Sequence, residues 1–198
     1  MHNKIGLILS GGMDSISIAW WKKPDIAFTV DYGQKAAKAE IQSSTQICKT
    51  LNIPHYIIAV DCSSLGSGDM AGKKSDKNAP ESDWWPYRNQ MLITLVAMKA
   101  ISLDVKKLLI GTVSNDAFHK DGSQEFIKSI SNLLELQEGG ISIQAPAINM
   151  STIELIKESK IPHEHLLWAH SCHTSNIPCG RCRGCNKYHN ILHELGIS

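Results

Sequence analysis

The sequence predicts an α/β protein: a Rossmann-like parallel sheet with helices on both faces, and a C-terminal helical extension. Three observations carry this. Short apolar runs alternate along the chain with longer stretches of helical period. Polar clusters follow the ends of those apolar runs. Four of the six cysteines crowd together between Cys172 and Cys185. Alternating strands and helices imply parallel pairing, right-handed crossovers and a sheet buried on both sides. The 198 residues suit one domain, 1–198, with 165–198 as a metal-binding C-terminal subdomain.

Taken in order, Ile5–Leu9 reads as a buried strand and residues 14–22 as a helix. Ile26–Val30 is the second strand. Residues 35–51 follow as a helix, with Ala36, Ala39, Ile47 and Leu51 at helical spacing. His55–Val60 is a third strand after the break at Pro54, and residues 89–103 form the most apolar helix. Leu108–Ile110 is a fourth strand, and residues 124–138 are amphipathic. A further helix opens at Ser151 with Glu154 as its capping-box partner. Residues 62–83 are rich in Ser, Gly, Asp and Lys without apolar period, and read as a mobile surface loop or a lid over bound ligand.

Composition narrows the function. Twenty basic against nineteen acidic residues give a net charge of +1, so direct nucleic-acid binding is not expected. No apolar run reaches the length of a membrane span, and Ile5–Leu9 is too short for a signal-peptide core. A cytoplasmic protein is expected.

Two segments carry chemistry. Ser10-Gly-Gly-Met-Asp-Ser15 lies between a strand and a helix. Glycines there let the backbone approach a ligand, and the helix N-terminus offers N–H groups to an anion such as pyrophosphate. A tight turn with a serine or aspartate cap is the plainer alternative. Neither a Walker A ending nor a G-x-G-x-x-G fingerprint is present. In the second segment, Cys172, Cys179, Cys182 and Cys185 are spaced C-x6-C-x2-C-x2-C. Four thiolates close a tetrahedral shell, which favours structural Zn²⁺; an iron–sulfur cluster and free thiols or disulfides are the rivals. Gly180 and Gly184 are expected to free N–H groups to turn toward sulfur.

The Ser-Gly-Gly-x-Asp-Ser string resembles the PP-loop of the adenine nucleotide α-hydrolase-like superfamily. The whole chain resembles the 7-cyano-7-deazaguanine synthase family. That resemblance runs through Leu9–Ser15, Asp31-Tyr-Gly-Gln34 with Glu40 beyond it, Pro86-Tyr-Arg-Asn89, Gly111–Asp116, Ala145-Pro146, the region from Glu154 onward, Trp168–Cys172 and the four cysteines. It implies ATP with Mg²⁺, cleaved to AMP and pyrophosphate, and 7-carboxy-7-deazaguanine as substrate. The carboxylate is adenylated, ammonia gives an amide, and a second ATP leads to the nitrile. It also implies that Leu9, Ser10, Gly11, Gly12, Met13, Asp14 and Ser15 hold ATP, with Asp14 beside the magnesium-bound phosphates. Arg88 would face the reacting phosphate, where its plainer alternative is a surface salt bridge. Tyr32, Gln34, Asn89, Asp116 and Asp121 would lie around the substrate, and a homodimer is suggested.

The sequence also departs from the family. The segment that carries Tyr-Pro-Asp-Cys-Arg there reads His119-Lys-Asp-Gly-Ser123 here, keeping only the Asp. Ala36 replaces a His, and the basic residue after the last cysteine is displaced or weakened to Lys187. Asp121 could pair with a guanine-like base or cap the helix near Ser123. These changes surround the substrate, so a second outcome is open: a relative that adenylates a deazaguanine carboxylate and stops at an amide, or passes the acyl group to another amine on a small molecule, peptide or protein.

Overall fold

The sheet has five parallel strands in the order β3-β2-β1-β4-β5. They are β1 (Lys4–Ile8), β2 (Ile26–Asp31), β3 (His55–Ala59), β4 (Val105–Ile110) and β5 (Ser142–Gln144). The computed structural model describes residues 3–114 and 119–197.

Side-chain alternation along the central strands explains the layering. Leu7 and Leu109 point to one face, where they pack with Ile16 and Ile18 of α1 (Met13–Lys22), Ile47 of α2 (Ala37–Leu51) and Leu155 of α6 (Thr152–Ser159). Ile8, Leu108 and Ile110 point to the other. There they meet Ile93 and Val96 of α4 (Arg88–Ile101), and Ile127, Ile130 and Leu134 of α5 (Gln124–Glu135). Helices on both faces are the predicted arrangement. The chain also forms α3 (Gly68–Ala71), α7 (His163–Leu166) and α8 (Arg183–Glu194), and Ile191 and Leu192 of α8 join the first core.

Three details differ from the sequence reading. Strand β4 begins at Val105, which pairs with Lys4; the register shifts before Ile5 pairs with Lys107, and the extra residue, Lys106, is taken up there. Strand β5 was not foreseen: Ser-Ile-Gln is too short to show alternation, and its pairing with β4 makes it a strand. Residues 62–83 are not a free loop. Their α3 buries Met70, whose carbonyl accepts from Lys35 N, while Ser82 O accepts from Asp69 N. Elsewhere the capping box at Ser151 is complete: its Oγ accepts from Glu154 N, and Ser151 N donates to Glu154 Oε2.

Candidate active site

Strand order reverses direction between β1 and β4, and the polar loops gather at their carboxyl ends, where α/β folds place ligands. A cavity of about 1020 Å³ opens there. Leu9, Ser10, Gly12, Met13, Asp14 and Ser15 line one wall.

The loop after β1 is anchored from several directions. Leu9 O accepts from Thr29 Oγ1 at 2.7 Å and from Ser44 Oγ at 3.2 Å. Gly11 turns away from the cavity, and its carbonyl accepts from Ser43 Oγ at 2.8 Å and from His170 N at 2.9 Å. Ser10 Oγ donates to Ser15 Oγ, which donates to Gly12 O. No side chain caps α1. The cap expected of a simple turn is therefore missing, which leaves the first-turn N–H groups for an anion. Asp14 Oδ2 accepts from Lys187 Nζ at 2.8 Å. Gly11 has φ +75°, and a Cβ there would stand 2.6 Å from Glu40 O. Replacing Gly11 by alanine should cost about 1–3 kcal/mol and weaken ATP binding, as read by thermal melting and nucleotide titration.

The opposite wall centres on Arg88, the first residue of α4. Tyr32, Glu40, Asp83 and Asp121 surround it. Burial opposes its charge, but these acidic neighbours, Asp121, Asp83 and Glu40 among them, outweigh that and hold the guanidinium protonated. Tyr32 is buried, edge-on to Trp85 at 4.8 Å, and burial pushes its phenol well up despite Arg88. Burial likewise raises the Glu40 carboxyl to about 7, while the Gln34 hydrogen bond and Arg88 pull the other way and Asp31 adds to the rise.

The predicted substrate residues divide. Tyr32, Asn89 and Asp121 line the cavity; Gln34 does not. Its Oε1 accepts from Tyr32 N, and its Nε2 donates to Val30 O and to Glu40 Oε2 at 2.8 Å. Gln34 is thus a buried brace. Asp121 does not cap α5, since Ser123 does so by accepting from Phe126 N. Instead Asp121 Oδ2 accepts from Asn89 N at 3.2 Å, and Asn89 Nδ2 donates to Asp121 O, which fixes the start of α4. Asp116 lies outside the described residues.

Sequence reasoning missed Asp83. It is buried and touches three cavity residues: Arg183 Nη1 at 3.2 Å, His173 Nδ1 at 3.3 Å and His119 Nε2 at 3.9 Å. A signal was present, for Asp83 is followed by Trp84-Trp85 inside an otherwise polar stretch, and such rings pack. Lys187, first read as a weakened substitute, reaches Asp14 and lines the cavity.

His173 and Arg183 flank the cysteines. The sulfurs of Cys172, Cys179, Cys182 and Cys185 all lie within 4.8 Å of one another, a set that could hold a metal. Backbone N–H groups of Cys182 and Cys185 donate to Cys179 Sγ and Cys182 Sγ, and His173 N donates to Cys182 Sγ. The Gly180 backbone lies against Cys185 and acts to lower its thiol. Gly184 serves otherwise: a Cβ there would collide with Ser171 O and the His173 ring.

Among solved structures, the chain is similar to the tRNA thiolase NcsA from Methanococcus maripaludis with its iron–sulfur cluster. The TM-score is 0.55 at 17% identity, covering 98% of this chain and 65% of that one. It is also similar to NMN synthetase from Francisella tularensis (TM-score 0.51, 17% identity, 98% and 77% covered). At these identities the likeness concerns the fold. Curated relatives named 7-cyano-7-deazaguanine synthase include those of Methanosarcina mazei, 26% identical over 96% of this chain and 94% of its own. Those of Methanocaldococcus jannaschii (28%; 96% and 94%) and Methanobrevibacter smithii (29%; 93% and 91%) are similar too. The family model described as queuosine biosynthesis protein QueC matches residues 4–196, a span that takes in the phosphate loop, Arg88 and all four cysteines. The chain belongs to the queuosine biosynthesis protein QueC family and is an ATP-dependent enzyme of it.

Proposed function

We propose that the protein converts 7-carboxy-7-deazaguanine, ATP and ammonia to 7-cyano-7-deazaguanine through an acyl-adenylate and an amide. The observation that carries this is one cavity holding the phosphate loop on one wall and Arg88 on the other, in a chain matched end to end by relatives of that name. A carboxylate is a poor acyl electrophile, and the phosphoryl oxygen of an acyl-adenylate makes a good leaving group. The protein's work is to position both reactants and to neutralise charge at the α-phosphate.

In this reading the α1 N-terminus, Ser10 and Ser15 take the leaving pyrophosphate, and Arg88 faces the α-phosphate. Asp14 with the two serine hydroxyls offers oxygen donors of the kind Mg²⁺ takes, beside the cation of Lys187. Tyr32, Asn89 and Asp121 stand on the substrate side. Gln34 acts by bracing Glu40. The cysteine knuckle fits one Zn²⁺. Tetrahedral bonds of about 2.3 Å put sulfurs about 3.8 Å apart, and the Cys179–Cys185 and Cys172–Cys182 pairs stand at 3.9 Å. With four thiolates such a site has no open position and serves the fold.

A second reading keeps the adenylation and changes its outcome, to an amide or to acyl transfer onto another amine. It is favoured by the cavity position of His119 and Asp121, in the segment that departs from the family. Mass spectrometry of a reaction with 7-carboxy-7-deazaguanine, ATP, Mg²⁺ and ammonium separates the two. Nitrile with AMP is the expected result. Amide alone would support the second reading, and ADP in place of AMP would overturn both.

A further inference from the structure

We propose that Glu40 is the proton acceptor in the amide-forming step; this rests on the reading above, in which ammonia attacks an acyl-adenylate. The step needs such a group. As the nitrogen bonds to the acyl carbon, the carbon–oxygen bond to AMP breaks and AMP leaves with the electron pair. One proton from nitrogen must then go to a base, which later returns it to water.

Several other carboxylates and imidazoles around the cavity are committed elsewhere. Asp14 pairs with Lys187 at 2.8 Å, and Asp83 with Arg183 at 3.2 Å. Asp121 holds the Asn89 N–H, and Glu154 holds the Ser151 N–H. His170 Nε2 is bonded to Ser175 O, and His173 lies against Asp83. Glu40 differs from these in that its hydrogen-bond partner is a neutral amide, that of Gln34.

The placement of Glu40 also suits the task. Its backbone carbonyl abuts Gly11, so the side chain springs from beside the phosphate loop. Gln34 fixes Oε2 and is itself fixed by Val30 and Tyr32, so the carboxylate is oriented before any ligand arrives. The charged and titratable groups facing it are Arg88 from α4, Asp31 at the end of β2, and Tyr32 just beyond. Their balance with burial brings the carboxyl close to neutrality, where a base both accepts and releases protons efficiently.

Glu40→Gln preserves size and can keep the Gln34 contact. Two half-reactions are compared. Exchange of radiolabelled pyrophosphate into ATP, dependent on 7-carboxy-7-deazaguanine, reports adenylation; mass spectrometry of the amide reports ammonia attack. The expected result is exchange within about threefold of wild type and amide formation lowered roughly 100-fold or more. With free ammonia held constant across the pH range, wild-type amide formation should rise as pH passes through about 7, where Glu40 loses its proton, and the variant should lack that rise. Glu40→Asp, which keeps a carboxylate, should recover part of the amide rate, and it serves as the test if the glutamine variant melts early. Amide formation within tenfold of wild type, or an unchanged pH rise, would overturn the proposal and turn attention to His119. Equal loss of both half-reactions would also overturn it, making Glu40 a binding residue. Absence of substrate-dependent exchange in the wild type would defeat the underlying reading, and the proposal with it.

Discussion

Arg88→Ala is expected to slow AMP formation by two to three orders of magnitude, the scale of losing one preorganised donor to a developing oxyanion. The effect has two sources. In the proposed reaction the cation facing the reacting phosphate is gone, and the anionic groups it balanced are left behind. Asp83, Asp121 and Glu40 all act on Arg88, so their fields would then repel the incoming triphosphate and carboxylate. Arg88→Lys should recover only part of the rate, because an ammonium lacks the planar fork that spans two oxygens. Pyrophosphate exchange measures this directly, with a melting curve to show that α4 still begins where Asp121 fixes it. A rate within tenfold of wild type would remove Arg88 from the chemistry.

The second large effect is expected of Cys182→Ser. Cys182 sits in the cysteine knuckle and is also the N-cap of α8, where its sulfur accepts from Cys185 N. Serine is a good N-cap, so the exchange keeps the cap and removes only a thiolate. The loss then reports the metal. Bound metal should fall sharply, and melting should drop by roughly 10 °C or more, since metal-binding energy in such sites is folding energy. Elemental analysis and a melting scan check this. Unchanged metal content and melting would show that the four thiols have no structural metal to hold.

Much of this architecture is legible in the sequence because it is local or periodic. Leu7 and Ile8 reveal a two-sided strand, Ser151 and Glu154 a capping box, and the cysteine spacing a knuckle. The glycine loop is legible for a similar reason: one short string contains the backbone freedom, the hydroxyls and the helix start together. What is not legible depends on pairings across the chain. Nothing near Asp83 announces that Arg183, exactly one hundred positions away, will meet it. Gln34 reads as a ligand contact within its motif, yet three internal hydrogen bonds occupy it. Asp121 offered two local explanations, a base partner and a cap for its own helix. The structure shows another job, holding the start of a helix earlier in the sequence.

The bonds that tie the loop after β1 to His170 and Lys187 also bear on the order of events during synthesis. Gly11 O waits for the N–H of His170, and Asp14 waits for Lys187. Domains begin to form while the chain is still being made, N-terminal parts first. The loop after β1 leaves the ribosome well before the residues that finish it. A growing chain can lay down β1 to β4 and their helices, yet it lacks a complete cavity wall until the cysteine-bearing segment has emerged and folded back. Translation itself therefore delays completion of the proposed nucleotide site until that segment has been made.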